Sequence, residues 1–400
     1  MFFTKRKLFS ILIIGFGSFS YTAELVAAGF RLPNQNAFAT GRGNAFAATA
    51  NNASAVYYNP AGIVQLPGTS FELGSAVVTF SVDLDTADQS FSNSDDIFLI
   101  PQAFFTQQSG EWNWGVGLYS PFGLGNEWPD DTSFSTITRS AEITYFTLSP
   151  VVAREVSPGI SLGAGLTINY ADANLRQGIG IVPGDEFEYD GSDFAVGYVV
   201  SMLAKLGSWN RIGVSYRSKA EHDLSGTASV SFVPEDTSSS LAITVPAILT
   251  LGYATQPLDN WEFEVNIEWG DWSQIDQIVI TDTSLGGDLA IDFEWEDGFI
   301  YQLGATRYFD KSAVSFGYNF NESVQPEEFY TPAVSDADRN WVYVGYTRNN
   351  KDSKSWTVAY QYGQSDRTVD ERVPNLAGET ANGRYRVRSH NLYFSYDIKF

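Results

Sequence analysis

The chain has 400 residues, of which 47 are acidic and 24 are basic, so its formal net charge is −23. That charge argues against nucleic acid, itself a polyanion, as a partner. The sequence has no cysteine, which excludes a disulfide, a thiolate metal site and a cysteine nucleophile, and it has only two histidines. We therefore expect no metal, no cofactor and no enzymatic activity.

The N-terminus is typical of a Sec-type signal peptide. Residues 5–7 are basic, residues 8–19 are apolar, and small residues follow. We predict cleavage after Ala27, which assigns residues 1–27 to the signal peptide. No later window holds the roughly 18 apolar residues that a membrane-spanning helix needs. The exported protein is thus predicted to have no helical anchor.

Residues 28–67 are too irregular for a strand and too rich in glycine for a stable helix. Everything after them alternates apolar with polar or small residues in segments of about 10 to 20 residues. In residues 159–170, for example, Leu162 and Leu166 share one face with other apolar side chains, while Gly163 and Thr167 share the opposite face. We predict that residues 28–67 are a plug and that residues 68–400 are the strands that enclose it.

The connections between these segments alternate between short and long along the chain, as they do in transmembrane barrels. We count about fourteen strands, an even number that leaves both ends on the periplasmic side. In hydrocarbon an unpaired backbone group costs several kcal/mol, so the sheet must close on itself. The predicted fold class is all-β: a transmembrane antiparallel β-barrel of about 14 strands with an N-terminal hatch in its lumen.

The C-terminal segment has its own signature. Leu392, Phe394, Tyr396 and Ile398 share one face, and the chain ends in Phe400. This arrangement resembles the last strand of bacterial outer-membrane barrels, whose terminal aromatic residue is read by the barrel assembly machinery. With the signal peptide, it places the protein in the outer membrane of a Gram-negative bacterium, in contact with outer-membrane lipid and lipopolysaccharide.

Several short motifs occur in an order that is specific although each is weak alone. They are AGF at 28–30, GRG at 41–43, NAS at 52–54, NPA at 59–61, PFGLG at 121–125, PAI at 246–248 and LGY at 251–253. In these motifs the chain resembles the FadL/TodX family of outer-membrane transporters for long-chain fatty acids and other hydrophobic compounds. The resemblance covers nearly all of the mature chain.

The resemblance implies a fourteen-stranded barrel with an inward-folded hatch, ligand capture near the extracellular loops, and lateral release through an opening in the wall. In the family that opening arises in the third strand, here residues 111–121. Gly115, Gly117 and Pro121 are compatible with it, because glycine and proline interrupt strand pairing. These three residues are the predicted lateral opening.

We interpret Asn59, Pro60 and Ala61 as a bend whose displacement couples ligand binding to opening; the alternative is a turn that only seats the plug. The predicted ligand-binding residues are Phe30, Phe38, Phe46, Phe122, Leu124 and Arg176. The three hatch phenylalanines are equally compatible with packing inside the plug. Arg176 is placed where family members carry a lumenal arginine for the ligand carboxylate, and an exposed loop arginine is the alternative.

Passive transport of long-chain fatty acids or related apolar molecules by a monomer is therefore the predicted function. Two alternatives stay open. A general porin for small polar solutes would need an open lumen, which the 40-residue plug disfavours. A surface-binding or adhesive barrel would use the acidic loops but leaves the plug without a role.

Overall fold

The computed structural model describes residues 29–94, 96–182, 184–283, 285–350 and 353–400. The predicted signal peptide, residues 1–27, and Ala28 at the predicted start of the hatch lie outside these ranges. Within them, no helix is long and apolar enough to cross a membrane, a finding that does not bear on strands.

Fourteen antiparallel strands form the wall in the described part of the chain, and five of them consist of two segments. In chain order they are β1 (Thr69–Asp85), β2 (Ile97–Ser109), β3 (Trp112–Tyr119 and Leu124–Glu127), β4 (Ser140–Ser157), β5 (Ile160–Gln177), β6 (Phe187–Leu206), β7 (Asn210–Arg217 and Ala220–Val230), β8 (Thr237–Val245 and Ile248–Leu258), β9 (Trp261–Gly270 and Gln277–Thr283), β10 (Gly287–Asp292 and Gly298–Phe309), β11 (Ser312–Asn321), β12 (Arg339–Asn350), β13 (Lys354–Val369) and β14 (Gly383–Lys399). A short strand, Ser90–Ser92, pairs with the end of β1.

Each strand pairs with its neighbours along the chain, and the sheet closes where β1 pairs with β14. This last ladder runs from Ser70 opposite Lys399 to Asp85 opposite Arg384. Closure pairs the first strand with the last, as strands that span a bilayer require. The predicted all-β barrel of fourteen strands is confirmed.

Alternate residues of each strand point away from the lumen. Most of these outward residues are apolar, so the outer surface of the barrel is apolar. On β6, Phe194, Val196 and Tyr198 are exposed, whereas Ala195 and Gly197 between them are buried. Exposed aromatic and branched side chains in this number suit a lipid-facing surface and would be unusual on a water-soluble barrel. The inward positions are free for small and polar residues.

The N-terminal segment fills the lumen. It contains helix α1 (Ala37–Gly41), helix α2 (Ala55–Tyr58) and a 3₁₀ helix (Pro60–Gln65), after which β1 begins at Thr69. Asn36 begins α1 by accepting a hydrogen bond from the Ala39 amide at 2.8 Å. Most of this segment is buried against the wall and itself. We call residues 29–67 the hatch.

At several of the closest contacts between hatch and wall, the wall residue is glycine. A Cβ on Gly213 would overlap the carbonyl of Ala47, and a Cβ on Gly317 would overlap the backbone of Gly43. A Cβ on Gly163 would lie 2.5 Å from the Ala61 nitrogen. Backbone-to-wall contact of this kind tolerates no side chain. The glycines on the inner face of the strands thus set how closely the hatch fits.

Candidate functional site

The wall is interrupted in strand β3. The segment Trp112–Tyr119 pairs with β2 as far as Leu118 opposite Ala103, and then residues 120–123 leave the ladder. The second segment, Leu124–Glu127, pairs with β4 but not with β2. The first part of β2, residues 97–102, therefore pairs with β1 alone. We call this unpaired region between β2 and β3 the wall gap.

The start of the hatch occupies the inner side of the interruption. The Leu32 amide donates to the Pro121 carbonyl at 2.9 Å, and the Gly123 amide donates to the Phe30 carbonyl at 3.1 Å. The Arg31 guanidinium also donates to the Pro121 carbonyl at 3.0 Å. Backbone groups that the ladder leaves unpaired are satisfied by the hatch, so moving the hatch start would expose them.

A cavity of about 290 Å³ lies at the wall gap. Near the gap its lining is apolar and includes Val78, Phe98, Ile143 and Leu124. Leu99 also lines the cavity, although its side chain is 69% exposed on the outer face of the barrel. Both inward-facing and outward-facing residues of β2 therefore line the cavity, at the interruption of the wall.

The inner end of the cavity is polar. Asn34 of the hatch donates to the Gln361 side-chain oxygen at 2.8 Å and to the Tyr393 hydroxyl at 2.6 Å, and Asn391 donates to Gln361 at 2.8 Å. Arg339, at the start of β12, also lines the cavity. The cavity is thus amphipathic, with an amide-rich inner end and an apolar end at the wall.

Opposite the cavity, the hatch is held by acidic side chains of strand β9. Arg42 lies 2.6 Å from Glu262 and 3.6 Å from Glu264, while Arg31 lies 3.0 Å from Glu268. All of these side chains are almost completely buried. We call Glu262, Glu264 and Glu268 the acidic stripe.

The acidic stripe also binds hatch backbone. Glu264 accepts the amides of Ala48 and Thr49 at 2.8 and 3.0 Å. Carboxylates that accept from both guanidinium and amide groups are held in charge-assisted hydrogen bonds, which are stronger than neutral ones. These bonds fasten the hatch to strand β9.

The predicted bend at residues 59–61 joins the hatch to strand β6. Asn59 is fully buried, begins the 3₁₀ helix, and donates to the carbonyls of Ala47 and Met202 at 2.7 and 3.0 Å. The Ala61 amide donates to the Asn59 side chain at 3.1 Å and to the Ser201 hydroxyl at 2.9 Å. Asn59 thus links two parts of the hatch to the wall at the same time.

The predicted aromatic ligand residues fall into two groups. Phe30 and Phe122 line the cavity with ring centroids 5.9 Å apart, and Leu124 lines it beside them. Phe46 is fully buried inside the hatch and contacts Phe38 at 5.8 Å, so these two residues pack the hatch and do not line the cavity. Phe38 is part of helix α1 and Phe46 packs against it.

The chain is similar in sequence to a known family of outer-membrane proteins. Residues 19–400 match the model of the outer membrane protein transport family, OMPP1/FadL/TodX. The chain belongs to this family. The predicted family and the predicted location in the outer membrane are thereby confirmed.

Relatives of the FadL/TodX family are distant in sequence but close in fold. The long-chain fatty acid transport protein of Escherichia coli K12 is 22% identical over 396 residues, which covers 85% of this chain and 89% of the relative. Outer membrane protein P1 of Haemophilus influenzae is 22% identical over 325 residues, covering 70% of each chain.

Solved structures of the family share the architecture. A FadL homologue from Pseudomonas aeruginosa superposes with a TM-score of 0.82 at 15% identity, covering 93% of this chain and all of that chain. The toluene transporter TodX from Pseudomonas putida superposes with a TM-score of 0.71 at 18% identity, covering 94% and 99%. At these identities the likeness establishes the fold.

Three residues were predicted to form the lateral opening. Pro121 lies in the interruption of β3, whereas Gly115 and Gly117 do not. Gly115 and Gly117 pair with β2 on one side and with β4 on the other. Both point inward, where a Cβ would lie within about 3 Å of the Val56 side chain of the hatch. The close approach of α2 leaves no room for a side chain at these two positions. The strand leaves its ladder at Ser120, three residues after Gly117.

Arg176 does not line the cavity. Its guanidinium lies 2.8 Å from Glu186 and 3.5 Å from Glu127, at the long-loop end of the barrel. Burial raises the pKa of Glu186, but the hydrogen bonds from Arg176 and Arg139 lower it by more, so that the pKa lies below its ordinary value. Arg176 is therefore part of an ion-pair network that joins the ends of β3 and β5 to the residue before β6.

Two features were not singled out from the sequence. The acidic stripe could have been found, because the motif WEFEVNIE at 261–268 places glutamates at alternate positions of a membrane strand, and charged residues there must face the lumen. Arg339 carries no such signal, since its role depends on which side chains surround it.

Proposed function

We propose that this protein carries long-chain fatty acids or related hydrophobic molecules across the outer membrane without an energy source. Apolar molecules are captured near the extracellular loops, enter the cavity, and leave sideways through the wall gap into the membrane. The observation that carries this proposal is the amphipathic cavity that lies at an interruption of the wall, beside a buried hatch. Residues 28–67 act as the hatch and residues 68–400 as the barrel.

The cavity suits an apolar chain better than a compact polar solute. Its volume of about 290 Å³ lies just below the range of about 300–1,000 Å³ for small-molecule sites. Burying ten methylenes contributes about 8 kcal/mol, whereas a charged hydrogen bond contributes about 1.5–3 kcal/mol. The tail should therefore set most of the affinity and the head group the orientation.

Movement of the hatch start is the step that we propose opens the path. Phe30 and Leu32 supply the backbone groups that complete the interruption in β3. Arg31 ties this segment to Glu268 of the acidic stripe. Ligand that displaces Phe30 from its contact with Phe122 would compete with these bonds, while Asn59 keeps the rest of the hatch attached to β6.

The named relatives are compatible with this cargo. Curated relatives are long-chain fatty acid transport proteins, and solved neighbours include toluene transporters. We take long-chain fatty acids as the first candidate because the inner end of the cavity is polar. Outer-membrane lipid would receive the released molecule, and the protein would act as a monomer.

The experiment is uptake by cells that lack their own transporter of this type and express this chain. Labelled oleate, hexadecane, toluene and sucrose would be offered in parallel, and barrel assembly would be verified by heat-modifiable mobility on a gel. We expect uptake of apolar compounds without uptake of sucrose. Entry of sucrose would indicate an open pore, and uptake of nothing by an assembled barrel would contradict the transport proposal.

A further inference from the structure

We propose that the outer face of strand β14 binds a phosphate group of outer-leaflet lipopolysaccharide, with Arg388 at the centre of the site. Arg388 does not line the cavity. The site lies on the lipid-facing surface of the barrel, so the inference goes beyond the proposed transport function and does not depend on the cargo.

The motif RYRVRSH at 384–390 places basic side chains at alternate positions of β14. Val387 and Ser389 are buried and line the cavity, whereas Arg388 and His390 are exposed. Alternation along a strand therefore turns the basic set outward. Its members are Arg384, Arg386, Arg388 and His390. Such a run of cations is unusual on a chain whose net charge is −23.

The basic set lies at one edge of the apolar outer surface. Toward the short-turn end, the next outward residues of β14 are Leu392 and Phe394, both exposed. In the other direction β14 begins at Gly383, after a long loop, and long loops are extracellular in barrels of this kind. An arginine facing lipid costs about 2–4 kcal/mol at the bilayer midplane but only about 0–1 kcal/mol near the interface. We therefore place Arg388 at the level of the outer-leaflet head groups.

The two arginines nearer the loop are paired across the sheet. Arg384 donates to Asp366 of β13 at 2.9 Å, and Arg386 donates to Asp85 of β1 at 2.8 Å. Asp83, which lies opposite Arg386 in the ladder, accepts a serine hydroxyl at 2.8 Å. The charges of this upper part thus largely compensate one another within the protein.

Arg388 has no such partner. In the described part of the chain, no carboxylate lies within 4.0 Å of its nitrogens, and its side chain makes no hydrogen bond. Its neighbours in the same row of the sheet are Gln364 of β13 and Ser81 of β1. Gln364 accepts from Tyr362 at 3.0 Å, but neither the Gln364 amide nitrogen nor the Ser81 hydroxyl donates to a described residue. Three outward donors therefore lie side by side, about 5 Å apart from strand to strand, without a protein acceptor.

A phosphate group supplies the acceptors that this row lacks. The guanidinium presents a fork of donors that suits phosphate oxygens, and the amide and the hydroxyl add a donor on each side. Below the row, the rings of Tyr362 and His390 pack with centroids 5.0 Å apart, and the Tyr360 hydroxyl lies 2.7 Å from Nδ1 of His390. Aromatic rings of this kind are typical of the membrane interface. The acyl chains of the bound lipid would lie along the apolar surface that continues at Leu392.

The chain offers a matched control on the opposite rim. Arg348 of β12 is also exposed and has no carboxylate within 4.0 Å among the described residues. It lies two residues before the end of β12 at Asn350, next to a short turn. The short turns are periplasmic, where the inner leaflet and not lipopolysaccharide supplies the lipid. Replacing Arg348 therefore removes the same charge from the wrong leaflet.

The test is equilibrium binding of a phosphorylated glycolipid to the purified full-length protein in detergent, after co-purified lipid has been removed. The probe is rough lipopolysaccharide, which has no O-antigen, and the same glycolipid with its phosphates removed is the ligand control. Native mass spectrometry would measure the bound fraction for wild type, Arg388→Gln, Arg388→Lys and Arg348→Gln. Heat-modifiable mobility on a gel verifies that each barrel is folded.

We expect Arg388→Gln to weaken binding of the phosphorylated glycolipid about tenfold, because one charge-assisted contact is lost. Arg388→Lys should stay within about threefold of wild type, and Arg348→Gln within about twofold. The dephosphorylated glycolipid should not distinguish wild type from Arg388→Gln.

Two results would overturn the proposal directly: unchanged binding in Arg388→Gln, or an equal loss in Arg348→Gln, which would indicate general attraction to any exposed arginine. Inorganic phosphate, added at matched ionic strength, separates the lipid from the free ion. The glycolipid should stay bound, since its acyl chains contribute to binding, and complete displacement would exclude the lipid as the occupant of the site.

Discussion

Replacing Arg42 by methionine should release the hatch without unfolding the barrel. The guanidinium of Arg42 lies against Glu262 at 2.6 Å and Glu264 at 3.6 Å, and all three side chains are buried. Removing one partner of a buried ion pair costs about 3–5 kcal/mol, because the other charge stays buried. The guanidinium of Arg42 also lies over the rings of Phe38 and Phe46, 5.7 and 5.9 Å from their centroids, and a methionine side chain can pack against these rings.

The lower end of that range applies here, because both glutamates keep other donors. Glu262 still pairs with Arg211, and Glu264 still accepts the amides of Ala48 and Thr49. A loss of about 3 kcal/mol corresponds to roughly a 100-fold rise in the population of the released hatch. The amides of hatch residues 42–50 should exchange with deuterium faster by about that factor.

Hydrogen exchange followed by mass spectrometry measures this release directly. Arg154→Met is the matched control, because Arg154 pairs with Glu111 on the exposed end of the barrel, where an ion pair contributes at most about 1 kcal/mol. Hatch exchange within threefold of wild type in Arg42→Met would refute the role of the acidic stripe. Equal acceleration in hatch and strands would indicate global destabilisation instead.

Three further predictions address the hatch fit, the bend and a loop. Gly213→Ala should unseat the hatch because its Cβ would overlap the Ala47 carbonyl, whereas Gly287→Ala, with open space around it, should not; hatch proteolysis compares the two. Asn59→Ala should bind oleate normally but transport it more slowly, because the cap and the bonds to Ala47 and Met202 are lost; transport at the wild-type rate would contradict hatch coupling. Burial raises the pKa of Asp336 from 3.8 to about 6, so the folded loop binds the proton more tightly, and its stability should fall by about 3 kcal/mol as pH rises from about 4 to about 6. Hydrogen exchange in residues 322–338, corrected for the intrinsic rate, would follow this loss, and a pH dependence unchanged in Asp336→Asn would exclude Asp336 as its source.

The sequence alone predicted the barrel. Alternation with period two, an even number of strands and a terminal Phe400 are local patterns, and closure follows from the cost of unpaired backbone in hydrocarbon. The glycine-rich segment before β1 likewise predicted a hatch, because small residues permit close packing. Periodicity and composition can be read from the sequence without knowing which residues are in contact.

The site depended on the tertiary structure. Pro121 lies in the interruption of β3, but Gly115 and Gly117 make room for Val56, which lies about 60 residues earlier in the chain. Arg176 and Arg339 are both arginines at strand ends, and only the fold shows that one lies against Glu186 while the other lines the cavity. Charge compensation in a barrel comes from side chains distant in sequence, so no local pattern shows which side chains will surround a given arginine.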